Sequence, residues 1–151
     1  MGGKFIHATE LASQIASLWP TGQDNRYVVL TGGEPLLQVD QSLVQALHDL
    51  NFEIAVETNG TVMAPVGIDW ICVSPKAGAE WIQRSGHELK LVYPQALLMP
   101  SMIKPVGFEH YLLQPMDGPN QREHTVQAID YCQKNPQWRL SVQTHKILEI
   151  R

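Results

Sequence analysis

Apolar and polar positions fall in blocks along this chain, and the blocks switch between a helical and a strand period. Residues 8–19 place Leu11, Ile15, Leu18 and Trp19 at helical spacing, which predicts a helix capped by Thr9 and stopped by Pro20-Thr21-Gly22. Residues 27–31 form an apolar run, as expected for a strand buried on both faces in a parallel sheet. A second helix is predicted over 41–50, capped by Asp40 with Leu43, Leu47 and Leu50 inward, and a strand follows over 52–58. This order makes a parallel crossover unit. Asn59-Gly60 is a hairpin signal, and the next strand, 69–74, begins only about ten residues on, so a hairpin or a shortened connection both fit. Further strands are predicted at 88–93, 108–113 and 138–143. Between them lie a polar stretch at 77–87 and a segment at 94–106 with room for one helical turn or two. A third helix is predicted over 121–134, with Asn120 and Glu123 as a capping box and Val126, Ile129 and Cys132 inward. The alternation predicts an α/β fold with a largely parallel sheet, open or curled into a partial barrel, as one domain over 1–151.

Polar clusters sit where the predicted strands end. They are Thr31-Gly32-Gly33-Glu34-Pro35, Glu57-Thr58-Asn59-Gly60, Ser74-Pro75-Lys76, Gln114-Pro115-Met116-Asp117-Gly118-Pro119 and Gln143-Thr144-His145-Lys146. Any one of them is accounted for by the turn residues a strand end needs. Together they describe a rim, and parallel α/β folds bind ligands at the carboxyl ends of their strands. Alternation puts Ser141, Gln143 and His145 on one face of the last strand, opposite Leu140 and Val142. Glu88 and Lys90 share a face, as do Ala55 and Glu57. A wet or ligand-filled lumen explains such a polar face; a half-exposed sheet with solvated charges is the plainer alternative. His145 is the histidine on that face, whereas His7, His48, His87, His110 and His124 read as surface or helix residues.

Composition narrows the class. The chain has 151 residues, 44% hydrophobic and 17% charged, with a net charge of −4, as in an ordinary soluble domain. No basic run advertises a nucleic-acid surface, and no apolar run is long enough for a membrane span or a signal peptide. Cys72 and Cys132 lie far apart in apolar segments, which suits free thiols in a cytoplasmic protein and not a chelating pair.

Taken together, these clusters resemble a known family. Gly32-Gly33-Glu34-Pro35 after a strand resembles the S-adenosylmethionine (SAM) motif of radical SAM enzymes, and Glu57-Thr58-Asn59-Gly60 resembles their next strand end. Ser74-Pro75-Lys76, the Gln114–Pro119 stretch and the terminal Leu140-Ser141-Val142-Gln143-Thr144-His145-Lys146 are similar to the 7-carboxy-7-deazaguanine synthase family, from Gly2-Gly3-Lys4-Phe5 to the chain end. The resemblance implies a partial radical SAM barrel, SAM, a [4Fe-4S] cluster, Mg²⁺, a small pterin substrate, a cytoplasmic setting and a homodimer. It implies conversion of 6-carboxy-5,6,7,8-tetrahydropterin to 7-carboxy-7-deazaguanine and ammonia, on the route to queuosine. Gly33 and Glu34 would meet the methionyl ammonium of SAM. Ser74, Pro75 and Lys76, with Gln114, Pro115, Met116 and Asp117, would line its ribose and adenine. Thr31, His145 and the carboxylate of Arg151 would face the pterin.

One departure matters. The family's three cluster cysteines, its first strand and its Mg²⁺-ligating threonine precede the Gly-Gly-Lys-Phe segment, and this chain starts at that segment. No residue here takes a catalytic or metal-ligating role by resemblance. The expectation is a fragment, inactive by itself, whose strand at 27–31 lacks a neighbour, with association through that edge or partial disorder at residues 1–7 as the consequence. A non-catalytic binding or structural protein that keeps the fold is the alternative.

Overall fold

The computed structural model describes residues 4–20, 22, 24–103 and 107–150. Ten regular elements follow one another: α1 (Ala8–Ser17), β1 (Tyr27–Leu30), α2 (Gln41–His48), β2 (Glu53–Thr58), β3 (Trp70–Val73), β4 (Ser85–Tyr93), β5 (Gly107–Pro115), α3 (Gln121–Lys134), β6 (Trp138–Leu140) and α4 (Thr144–Ile147). Two single 3₁₀ turns lie at Pro35–Leu37 and Pro100–Met102. The strands pair in chain order into one sheet, and every pairing is parallel. The sheet does not close on itself, so the chain is an open α/β sheet of the partial-barrel kind.

Alternation along the strands decides which side the helices cover. Ile54 and Val56 of β2 pack under Ala12 of α1 and Leu43, Val44 and Leu47 of α2. A second cluster joins Val73, Leu89, Leu91 and Leu113 to Ala128 of α3 and Trp138 of β6. The other side of the sheet carries Ala55 and Glu57, then Cys72, then Glu88 and Lys90, then Gln114, aligned by the strand register. The expected polar face is therefore real, and it is the face without helices.

Asp69 fastens this arrangement at the start of β3. Its Oδ2 accepts from the Ile54 N–H at 2.8 Å and lies 3.0 Å from His48 Nε2, so one carboxylate joins β2, β3 and the end of α2. Burial alone would raise its pKa. The His48 contact and the Ile54 hydrogen bond outweigh that and hold it below 3.8.

Several local expectations are corrected. The cap of α1 is His7, with no side-chain capping bond, in place of Thr9; Ala12 is the buried centre of that helix, and Leu18 is exposed. Of the two connections open after Asn59-Gly60, the shortened one forms and the hairpin does not. Residues 61–69 form a short helix-free crossover to the parallel strand β3. β4 starts at Ser85, so part of the stretch read as polar loop is strand. Asn120 makes no capping bond, and α3 buries Ala128 while Val126 stands 62% exposed and Ile129 is also on the outside. His87 and His110 lie on β4 and β5; His87 Nδ1 accepts from the Ile71 N–H, and both rings stack on Trp70. The last strand ends at Leu140, three residues before the expected end.

Two outcomes follow. Leu47 is fully buried between α2 and the sheet, so Leu47→Ala should cost about 2–5 kcal/mol in urea unfolding. Asp69 has a folded pKa below its ordinary value of 3.8, so its stabilisation is present above that value and fades as pH falls through the lower folded value. The stability gap between the parent chain and Asp69→Asn should therefore shrink at acid pH, and a gap that stays constant down to pH ~2 would contradict this assignment.

Candidate functional site at the carboxyl ends of the strands

The glycine turn after β1 is built by conformation. Gly32 has φ +127°, a value that side chains disfavour, and neither Gly32 nor Gly33 has any atom within 4 Å of where a Cβ would stand. The turn is thus an open stretch of backbone. Glu34, the next residue, anchors it. Its Oε1 accepts from the Leu36 N–H at 3.0 Å and from Thr58 Oγ1 at 2.7 Å, and its Oε2 accepts from the Asn59 N–H at 2.7 Å. Thr58 Oγ1 in turn accepts from the Gly60 N–H. One carboxylate therefore ties the end of β1 to the end of β2.

A cavity of about 240 Å³ opens beside this turn, lined by Gly32, Gly33, Glu57, Thr58, Asn59, Ser74, Lys76, Lys90, Val92 and Gln114. Five strands supply it: β1, β2, β3 and β4 end or nearly end here, and β5 adds Gln114. Of the residues expected from sequence, Gly33, Ser74, Lys76 and Gln114 meet in it, and Glu34 braces its wall. Pro75, with Lys76, lines a larger neighbouring cleft of about 590 Å³ that continues to Trp81, Arg84 and Leu98. Pro115 faces a different hollow, against α3 and Gln143. Asp117 pairs with Lys146 instead of reaching the cavity, and that contact, together with the Gly118 N–H, lowers its pKa. The Met116 carbonyl is met by His124 at 3.0 Å. Thr31 and His145 are exposed and line none of these spaces; His145 sits on α4, not on a strand face. Arg151 lies outside the described residues.

Glu57 and Lys90 belong to the cavity although neither was assigned a ligand from sequence. Both had been placed on polar strand faces, and that alternation was the available signal. Lys90 Nζ donates to Glu57 Oε2 at 2.6 Å, reaching across β3 above Cys72. Burial acts against the Lys90 charge, but Glu57 and Cys72 outweigh it and its pKa is raised. Lys76 differs. It donates to Ser74 Oγ at 3.0 Å, and partial burial followed by the nearby Lys90 charge lowers its pKa.

The fit to cofactors can be judged from these groups. An open glycine backbone, a hydroxyl, an ammonium and an amide converging on one cavity suit the polar ends of an amino-acid nucleoside such as SAM. A [4Fe-4S] cluster does not fit these residues. The chain has two cysteines; Cys72 is buried with its thiol pKa pushed up by that burial, and Cys132 lies on α3 on the opposite side of the sheet. Among the described residues no three His, Cys, Asp or Glu side chains are grouped to hold a metal ion, and no helix is long and apolar enough to cross a membrane.

Glu34 gives the test of this geometry. Glu34→Ala removes the acceptor for three donors and should cost about 1–3 kcal/mol by denaturant titration. Loss of amide-exchange protection at Asn59 should accompany it. An unchanged exchange rate there would contradict the bracing role.

No protein-family model matches the chain. Curated proteins do. The chain is 64% identical over 151 residues to the 7-carboxy-7-deazaguanine synthase of Bradyrhizobium diazoefficiens, covering all of this chain and 72% of that protein. It is 56% identical over 149 residues to the enzyme of the same name from Bordetella pertussis, covering 99% of this chain and 71% of the relative. Among solved structures it resembles the crystal structure of QueE from Escherichia coli, with a TM-score of 0.68 at 24% identity over 90% of this chain and 63% of that one, which bears on the fold. With whole-chain identity at this level, the chain belongs to the 7-carboxy-7-deazaguanine synthase family of radical SAM lyases.

Proposed function

We propose that the cavity at the strand ends binds SAM next to a pterin, in the conversion of 6-carboxy-5,6,7,8-tetrahydropterin to 7-carboxy-7-deazaguanine and ammonia that leads to queuosine. The observation that carries this is the open Gly32-Gly33 backbone facing Ser74, Lys76 and Gln114 across one cavity. The Gly33 carbonyl would accept from the methionyl ammonium. Glu34 already takes three donors, which leaves one of a carboxylate's roughly four acceptor positions for that ammonium. Lys76 supplies positive charge for a carboxylate, and Ser74 and Gln114 supply hydrogen bonds to a ribose or an adenine edge. The pterin completes the cavity from the open face of the sheet, with Thr31, His145 and Arg151 as its further contacts. SAM bound beside a reduced iron–sulfur cluster, which these residues do not hold, would supply hydrogen-atom abstraction from the pterin. The protein's own part is to seat the two molecules in contact and keep water out. A cytoplasmic homodimer is the proposed setting, and Mg²⁺ is proposed to assist without ligands from the residues described here.

A second reading rests on the cysteine count. Two cysteines, neither on the rim, support SAM binding without turnover by these 151 residues alone. Both readings are tested by titrating SAM into the chain in a calorimeter. The expected result is binding that Gly33→Val weakens by about tenfold or more, since Gly33 lines the cavity and a Cβ there meets no neighbouring atom within 4 Å. Anaerobic reconstitution of the same 151 residues with iron and sulfide should give no iron–sulfur absorption. Absence of SAM binding would sink the first reading, and formation of a cluster would sink the second.

A further inference from the structure

The loop between β3 and β4 is pinned to the end of β2 at two points. At its start the Ser74 N–H donates to the Thr58 carbonyl at 2.7 Å. At its far end the Ile82 and Gln83 N–H groups both donate to the Gly60 carbonyl, at 2.8 and 2.9 Å. Between these points residues 76–80 are exposed. Lys76 stands in that exposed span, yet it also lines the cavity that Ser74 and Gln114 share. Its place therefore depends on how the loop is closed.

Trp81 closes it. Its ring stacks on Phe108 with centroids 6.2 Å apart, and the Arg84 guanidinium lies 4.5 Å from the ring centroid. Trp81 Nε1 donates to the Gln83 carbonyl at 2.6 Å. Gln83 is buried; its side chain accepts from the Ala64 N–H and donates to the Ser85 carbonyl. The indole also presses on Gly60. A Cβ built there would stand 2.7 Å from Val73 Cγ1 and 2.9 Å from Trp81 Cδ1, and φ is +78°, so the position admits only glycine. Packing on Phe108 needs the ring alone. It needs neither the indole N–H nor a strand end that only glycine can occupy. Trp81 and Lys76 line one cleft, and partial burial is the largest influence on the Lys76 ammonium.

We propose that Gly60 and Trp81 form a clasp that sets the reach of the Lys76 ammonium into the cavity, and with it the hold on the carboxylate end of SAM. Both are positioning residues that act through Lys76. The carboxylate clause rests on the function proposed above; the placing of Lys76 does not.

The test has two readouts on the 151-residue chain. In the first, without ligand, lysines are reductively methylated with ¹³C and followed by NMR against pH, with Lys76→Met identifying the Lys76 signal. In Trp81→Ala the Lys76 pKa should rise toward its ordinary 10.5, because the burial that lowers it is lost. In the second, SAM and decarboxylated SAM are titrated in a calorimeter. The parent should prefer SAM, and Trp81→Ala should cut that preference by about tenfold while decarboxylated SAM binds within about threefold of the parent. Adding Trp81→Ala to Lys76→Met should change neither affinity by more than about twofold, since two residues acting through one ammonium are not additive. Trp81→Phe keeps a ring without the N–H and should fall between parent and Trp81→Ala. A thermal melt establishes that the variants are folded; if Trp81→Ala is not, the comparison passes to Trp81→Phe. Equal weakening of both ligands, or a Lys76 titration that does not move, overturns the clasp. A parent that binds no SAM overturns the proposed function, and the Lys76 titration then decides the clasp by itself.

Discussion

The carboxylate of Glu34 is the contact on which the rim depends. A turn of two glycines has more backbone freedom to lose on folding than any other dipeptide. Nothing in Gly32-Gly33 itself would hold it. Glu34 supplies the restraint from outside the turn, accepting from Leu36 just beyond it and from Thr58 and Asn59 at the end of the next strand. Two strand ends are thereby set at one height and spacing. The cavity is open because glycine leaves it open, and ordered because the next residue is an acid with three donors in reach. The same carboxylate that sequence reasoning assigned to a ligand is thus first a structural clamp.

The register of the sheet does the rest. Glu57 aligns with Cys72, and Cys72 with Glu88, so Lys90 stands one pleat nearer the strand ends than Glu88 and reaches diagonally to Glu57. A slip of one residue in β4 would turn Lys90 toward the helices and Leu89 toward the cavity. Leu89 and Leu91 are fully buried against the second core cluster, which makes that slip prohibitive. The packing of apolar residues behind the sheet therefore positions the charges in front of it.

The sheet and the glycine turn were legible because their signals are local and strong. Apolar runs marked β1 to β5, and Asp40 caps α2 as expected, its Oδ1 accepting from the Leu43 N–H at 2.8 Å. What failed to show depends on tertiary context. Helix α3 covers only the end of the sheet, so its buried stripe is narrow and runs through Ala128 and Tyr131, while Val126 and Ile129, the more hydrophobic residues, point away. His145 was placed by extending strand alternation past Leu140, but the backbone leaves the sheet there, and alternation carries no information once pairing stops. Gln114 reached the cavity because β5 continues through it, whereas Pro115 and Asp117, one and three residues on, do not.

Two lysines share this cavity under opposite constraints. Lys90 is held by a carboxylate, and its charge is favoured. Lys76 has a neutral hydroxyl as its partner, with partial burial and the Lys90 charge both acting against it. An anionic group entering the cavity relieves the repulsion on Lys76 and gains little from Lys90, whose charge Glu57 already balances. A carboxylate is therefore drawn to the Ser74–Lys76 side, beside the glycine turn, while the balanced Lys90–Glu57 pair exerts little net pull. A ligand with a carboxylate at one end and a neutral ring at the other is oriented by this asymmetry before any hydrogen bond is made.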